Sequence, residues 1–439
     1  MNMKTYEQRH QALTQLKNVI LKNREAIQLA IQNDFSRSPF ETDTVEINVV
    51  IHEINYCLKN LKKWMQPKKV KTNLANWPAK SYQMAQPYGR VLIIGAWNYP
   101  FQLTVLPAVG ALAAGNSVVL KPSELAANTA ELIEKLINEN FDPQTISVKV
   151  GGLQVSEKLL SERWDKIFFT GSTRVGQIVY QKAAENLTPV TLELGGKSPA
   201  IFDESCEMGV SVKRMVWAKF LNAGQTCIAP DFVYVHESRK EEFLQILKNE
   251  ISQADYSIKN ENYVEIINEQ HTQRLVKLIN NQQVVLGGKF DIAQRWIEPT
   301  VMTSVRWSDP VMQEEIFGPL LPVLTFSNLQ DVVRDLKQRP APLSLYFFTE
   351  NKDRLQQMSE FSFGGGAINE AIMHFANPHL PFGGVGSSGI GQYHGAESFR
   401  CFSHFKSVLV KSTLIEFPFK YSPMTHFKKR IISLMLRLG

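Results

Sequence analysis

Residues 91–120 read VLIIGAWNYPFQLTVLPAVGALAAGNSVVL, a run without one charged side chain. Such a run is long enough to suggest a bilayer span. Pro100, Pro107, Gly110 and Gly115 interrupt it, however, and Asn98, Gln102 and Asn116 would lie unsatisfied in lipid. The inner pattern fits a buried β-α-β unit instead, with a strand over 91–94, a loop, a helix over 101–113 and a strand over 117–120.

The alternation continues outward from this unit. Helices are expected near 124–138, 153–160 and 174–186, between short apolar strands near 145–150, 166–169 and 190–192. Strands and helices alternating at this spacing give a doubly wound parallel sheet, which places ligands at the carboxyl ends of its strands. Residues 5–65 read as two long helices ahead of it. After about 208 a second α/β series follows, with strands near 231–235, 283–286, 321–325, 344–348 and 364–368 and helices near 238–252 and 328–337. No short-period repeat or long polar linker separates the two series, so the domains are expected to pack together.

The 439 residues carry 48 Lys+Arg and 42 Asp+Glu. The surplus is local: residues 401–439 hold seven basic groups and one acid, leaving 41 of each sign in the first 400. A neutral fold body offers no broad basic face for tracking phosphates, which argues against nucleic-acid binding. Cys57, Cys206, Cys227 and Cys401 lie far apart with no histidine at ligand spacing. Neither a disulfide framework nor a metal site is expected, and a reducing cytoplasm is the default setting. The N-terminal MNMKTYEQRHQALTQLKNVI has no apolar signal-peptide core and reads as a polar amphipathic helix.

Several segments bear on chemistry. A G-x-G-x-x-G occurs at Gly384, Gly386 and Gly389, but it follows NPHLPFG rather than a strand, and no acid lies about 20 residues downstream to hold a ribose. FFTGSTRVG, 168–176, is the better phosphate candidate, because an apolar strand runs through Gly171 and Ser172 into a helix start whose N–H groups are free; an ordinary serine cap gives the same pattern. VVLKPSE, 118–124, ends a strand on Lys121 and offers Glu124, a cation and an acid suited to a ribose or, equally, a Pro-Ser helix start. Cys227 lies in NAGQTCIAP, a polar lead-in that makes a poor core and a good reactive elbow, whereas Cys57, Cys206 and Cys401 read as structural. Glu193, in TLELGGKSP, interrupts an apolar strand just before Gly195 and Gly196, as a partly buried base or a solvated strand end.

Taken in order, AWNYP (96–100), KPSE (121–124), FTGSTRVG (169–176), LELGGK (192–197), GQTC (224–227) and EEIFGP (314–319) resemble the aldehyde dehydrogenase superfamily. CIAPD after the cysteine, LPFGGVGSSGIGQYHGAESFRCFSH at 380–404 and the lack of a long N-terminal extension resemble its class 3 branch. The resemblance covers nearly the whole chain and thins after about 412. It implies two doubly wound Rossmann-like α/β domains plus a small β arm for oligomerisation. The NAD(P)-binding domain would take 1–80 and 90–207, the catalytic domain 208–400, and the arm 81–89 with 401–416, ahead of a basic amphipathic tail at 417–439.

The same resemblance implies roles. Cys227 would be the nucleophile, Asn98 and the Cys227 backbone N–H the oxyanion donors, and Glu193 the base for thioester hydrolysis. Lys121 and Glu124 would meet the adenosine ribose, and Trp97 the pyrophosphate with Ser172 in the segment Gly171, Ser172, Thr173, Val175, Gly176. Glu315 would meet the nicotinamide ribose and Phe317 the nicotinamide end. By the same resemblance the cofactor would be NAD or NADP, the substrate a fairly apolar aliphatic or aromatic aldehyde, and the assembly a homodimer. The glycine loop at 384–389 would line the substrate side, and INEAIMHFANPHL (368–380) would line an apolar channel or merely pack. One departure, YVEIIN at 263–268 where the branch shows a glycine-arginine pair, is expected to affect surface geometry only; the chain also looks shortened around 281–296.

Three rivals are weighed against this reading. A CoA-acylating dehydrogenase generally lacks the deacylating glutamate that Glu193 supplies. A silent, crystallin-like protein has no need of Cys227, Glu193, Asn98 and Lys121 together, and a cofactor-free cysteine hydrolase needs a histidine partner that no motif offers. In the tail, Ile431, Ile432, Leu434, Met435, Leu436 and Leu438 follow Lys428, Lys429 and Arg430. This suits a helix lying on an anionic membrane surface or one that packs on the body.

Overall fold

The computed structural model describes residues 3–438. The decisive stretch forms the expected unit, with strands Arg90–Ile94 and Ser117–Lys121 in parallel around helix Gln102–Ala114. Every residue of that helix is buried, which explains a segment with no charge and no polar face. The sheet order, from one edge to the other, is Gly389–Ile390, Val190–Glu193, Lys166–Thr170, Arg90–Ile94, Ser117–Lys121, Ile146–Val148. All pairings are parallel except that of the first strand. The chain winds away from Arg90–Ile94 on one side and then returns to wind on the other. The carboxyl ends of Arg90–Ile94 and Lys166–Thr170 therefore flank a topological switch point, the place where such sheets bind ligands.

A second sheet runs Val284–Leu286, Thr300–Met302, Leu320–Phe326, Phe232–His236, Pro199–Phe202, Ser344–Phe348, Gly365–Ile368, and is parallel apart from its first strand. Two corrections to the expected division follow. Pro199–Phe202 pairs on both sides within the second sheet, so the crossover between sheets falls in the few residues after Glu193 and not at 207–208. Gly389–Ile390 pairs with Leu192–Glu193, so the end of the expected catalytic segment belongs to the first sheet.

The 5–65 region is also more divided than two helices. Tyr6–Lys22 ends at Asn23, and Arg24–Phe35 ends at Ser36, whose φ of 59° is left-handed. Ser38 and Pro39 then start a short helix, Pro39–Thr42, which widens through Asp43–Ile47 into Asn48–Trp64. A third sheet joins Lys68–Val70, Ala79–Pro87 and Ser403–Lys411, antiparallel, with Ser403 opposite Pro87 and Lys411 opposite Ala79. Helix His426–Leu438 folds back toward the turn Leu74–Asn76. Trp77 stacks on Phe417 at 5.9 Å between centroids, and Phe419 meets Phe427 at 6.5 Å.

Candidate active site

Two opposed edges form the cleft. The first sheet presents the residues that follow its strands: Trp97 and Asn98, Lys121, Gly171 and Ser172, and Glu193 itself. The second presents residues that precede its strands: Lys197 before Pro199, Cys227 before Phe232, Glu315 and Phe317 before Leu320. The carboxyl-end rule thus describes one wall only; Cys227 comes from an amino edge.

Cys227 follows helix Met208–Phe220 through a kinked turn in which Asn222 and Ala223 take φ of 54° and 50°. It is half-buried, whereas Cys57 and Cys206 are buried and Cys401 bonds to the Thr191 hydroxyl at 3.2 Å. Burial raises its thiol above the usual range, and the nearby Glu315 and Glu193 carboxyls raise it further; the N–H groups of Cys227 and Ile228 act in the opposite direction, toward the thiolate. Neighbouring residues are tied in place. Thr226 shares a hydrogen bond with the Tyr99 hydroxyl at 2.7 Å, and the Tyr346 hydroxyl donates to the Ile228 carbonyl at 2.6 Å.

Asn98 reaches this loop directly, its Nδ2 donating to the Gln225 carbonyl at 3.0 Å. That bond occupies one amide hydrogen and leaves the other for a ligand. Gln225 is itself held by Glu265 and Ile267, through Nε2 to the Glu265 carbonyl at 3.1 Å and Oε1 from the Ile267 N–H at 3.0 Å. The YVEIIN segment is therefore no surface feature: Tyr263, Val264, Ile266 and Ile267 are buried, Glu265 pairs with Arg295, and the segment braces the cysteine loop.

Glu193 ends its strand 2% exposed, and neither carboxyl oxygen has a partner. Burial pushes its carboxyl well above the ordinary value. Leaving an ionised carboxylate unpaired in the interior is costly, so this side chain holds a proton more tightly than a solvated glutamate does. Only its main chain is engaged, its carbonyl accepting from the Gly171 N–H at 3.0 Å. The glycine loop expected on the substrate side lies here instead. Ser388 accepts from the Leu194 N–H at 3.1 Å, and Ser387 from the Thr173 hydroxyl at 3.1 Å. A Cβ at Gly384 would sit 2.1 Å from the Ser388 carbonyl oxygen, so its glycines serve a tight fold behind Glu193 and cradle no pyrophosphate. The 368–380 run largely packs: Phe375 meets Phe382 and His394, while Met373 and Leu380 stay exposed.

The residues expected to hold a dinucleotide come from both edges. Ser172 caps helix Thr173–Ala184 through the Val175 N–H at 3.4 Å, and Gly176 lies against Leu194. Lys121, nearly buried, pairs with the exposed Glu124. Trp97 meets Phe317 edge-on at 5.3 Å and also packs on His271, a neighbour the sequence did not suggest. The Glu315 carboxyl, pushed up to about 8 by burial and by Asp231, leans on Gly195 so closely that a Cβ there would fall 2.2 Å from its oxygen. The missing side chain of Gly195 thus gives the Glu315 carboxyl the room it occupies. Asp231 of CIAPD fixes the wall, accepting from Lys197 and from the Ile316 N–H at 2.8 Å, so three of the sequence motifs meet in one cluster.

Comparison with known proteins agrees with this geometry. The sequence model described as aldehyde dehydrogenase family matches residues 1–408. The 4,4'-diaponeurosporen-aldehyde dehydrogenase of Staphylococcus aureus is 46% identical over 413 residues, 93% of this chain and 90% of that protein. The dimeric NADP-preferring aldehyde dehydrogenase of Rattus norvegicus is 42% identical, covering 93% of this chain and 91% of its own. The solved substrate-bound state of Staphylococcus aureus AldH superposes with a TM-score of 0.95 at 44% identity, over 98% of this chain and 95% of that one. Matched by the family model over nearly its whole length and by relatives more than 40% identical, the chain belongs to the aldehyde dehydrogenase family.

Proposed function

We propose that this protein oxidises an apolar aldehyde to the carboxylic acid through covalent intermediates on Cys227, with Asn98 and Glu193 as its partners. The observation that carries the reading is the pairing of a half-buried thiol with a buried carboxyl that has no other work. The Cys227 sulfur, as thiolate, forms a C–S bond to the aldehyde carbon, and the Cys227 N–H with the spare Asn98 amide hydrogen receives the oxyanion. The chemistry that NAD or NADP supplies when bound is acceptance of a hydride, which leaves the acyl group as a thioester on Cys227. Lys121 and Glu124 would hold the adenosine ribose, the Gly171–Gly176 segment and Trp97 the pyrophosphate, and Glu315 and Phe317 the nicotinamide end. Glu193, as carboxylate, then takes a proton from the water that attacks the thioester; the C–S bond breaks, the acid leaves, and that proton passes to the sulfur to restore the thiol, replacing the one Cys227 released to solvent on becoming a thiolate.

Family membership makes the chain an NAD(P)-dependent oxidoreductase acting on aldehydes. An apolar substrate is supported by the diaponeurosporen aldehyde in the name of the S. aureus relative. A homodimer is supported by the rat relative's name and by strand Ser403–Lys411, which pairs on one side only and exposes Leu409 and Val410. Peripheral contact with an anionic membrane is supported by helix His426–Leu438, which keeps Phe427, Leu434 and Leu436 exposed beside Lys429 and Arg430 even as it packs on the arm. Among the described residues no helix is long and apolar enough to cross a membrane.

The first test is a panel of aliphatic and aromatic aldehydes with NAD or NADP and no CoA, followed by the near-ultraviolet absorbance of the reduced nicotinamide. Reduced cofactor with at least one apolar aldehyde is expected, and none with any would sink the reading. Removing residues after Ser412 should lower co-sedimentation with anionic liposomes; equal binding by both forms, or by neither, removes the membrane contact.

A further inference from the structure

Beneath the cleft lies a charged site that the chemistry above does not use. Arg37 is completely buried, although it follows the left-handed Ser36 between two helices and is flanked by serines. Its guanidinium pairs with Glu46 through Nη1 and lies 3.6 Å from Glu41 through Nε. The remaining nitrogen, Nη2, donates to the Asn98 carbonyl at 2.6 Å and to the Asn222 side-chain oxygen at 2.7 Å. Asn222 in turn donates to both the Asn98 and the Gln225 carbonyls at 3.0 Å. The guanidinium also sits 4.7 Å from the centroid of Tyr99, whose hydroxyl bonds to Thr226 beside the nucleophile. On its far side Glu46 accepts the Phe101 and Gln102 N–H groups at 2.8 and 2.9 Å, fixing the loop that leaves Asn98.

Burying such a pair contributes little net stability against apolar side chains of equal volume. What it does supply is geometry, since a planar fork holds several acceptors at set angles. We infer that Arg37 is a positioning residue, which sets the Asn98 amide against the Cys227 loop through Asn98, Asn222 and Tyr99. The inference rests on the reading of Cys227 as nucleophile and Asn98 as oxyanion donor. It predicts a selective defect: steps that build negative charge on a carbonyl oxygen suffer, and a simple displacement at sulfur does not.

The test uses the full chain and the double variant Arg37→Gln/Glu46→Gln, which avoids leaving either of these two charges without its partner. Turnover of an aldehyde, and acylation of Cys227 by a p-nitrophenyl ester, should both fall about 10²-fold, the effect of a small misplacement at a reacting centre. Alkylation of Cys227 by iodoacetamide and the KM for NAD or NADP should stay within about threefold. Arg37→Lys, which keeps the charge but loses the planar fork, should share most of the acylation loss. A folded double variant that acylates at the wild-type rate overturns the inference. So does a fall in alkylation as deep as the fall in acylation, or a folded Arg37→Lys variant that acylates at the wild-type rate. Unfolding of both variants makes the role purely structural and overturns it as well. Failure of the proposed activity would show separately, as wild-type protein that reduces no cofactor, while the ester and alkylation assays still report on Arg37.

Discussion

Glu46 and Glu193 are both buried carboxylates, one under the cleft and one inside it, and their surroundings differ in every respect. Glu46 is fully enclosed, accepts two helix N–H groups and pairs with Arg37. Glu193 is 2% exposed and accepts nothing at its side chain. Burial pushes both carboxyls up, but at Glu46 the Arg37 charge and the Phe101 and Gln102 N–H groups oppose the shift, whereas nothing opposes it at Glu193. The difference separates scaffold from chemistry. A carboxylate whose lone pairs are all taken fixes backbone; one left empty has kept its capacity for a proton and a water at the expense of stability.

The comparison is sharpened by breaking its parts in turn. The largest effect is expected at the group that both carboxylates ultimately serve: Cys227→Ala should remove about 10⁴-fold or more of aldehyde turnover while the protein keeps its melting temperature, read from reduced-cofactor absorbance and calorimetry. Persistent turnover would place the nucleophile elsewhere. On the scaffold side, Glu46→Ala strands Arg37 and frees two helix N–H groups, and a loss of about 3–5 kcal/mol in a denaturant titration is expected; a change under about 1 kcal/mol would contradict the fixed-floor picture.

The smallest effect has the opposite sign. The Glu193 carboxyl titrates higher in the folded chain than its ordinary value of 4.5, so between those two values the folded state holds a proton that the unfolded state has released. Its contribution to stability is full below about 4.5 and falls as pH rises through the window. Glu193→Gln should therefore melt higher than wild type at mildly alkaline pH, with the gap closing as pH is lowered toward the ordinary carboxyl value. A gap that widens on acidification would show that Glu193 is paired after all.

Much of this was legible in the sequence, for identifiable reasons. The 91–120 unit announces itself because a helix buried on all sides can carry no charge. Cys227 and Glu193 stand in short segments whose polar and glycine residues fit no core, whereas Asn98 and Glu315 are marked only by the resemblance of their motifs. The rest depended on partners far away in the chain. Arg37 lies within the 5–65 region that reads simply as two long helices, and its burial arises only because Glu46, Asn98 and Asn222 converge on it. YVEIIN passes for a surface variation until Gln225 is seen bonded to it. The domain boundary was misplaced because the chain crosses from one sheet to the other directly after LELGGK, with no linker to mark the change. The amino edge that presents Cys227 followed from topology alone, since local pattern gives a strand its length and not its neighbours.

The central claim is that Glu193 stays unpartnered in order to hydrolyse an acyl group on Cys227, and rapid mixing of Glu193→Gln with an apolar aldehyde and NAD or NADP tests it most directly. The account predicts a burst of about one reduced cofactor per site followed by a stall, with the acyl group trapped on Cys227 and visible by mass spectrometry of the intact protein. Steady turnover at the wild-type rate, or a stall with no acyl group on Cys227, would contradict it.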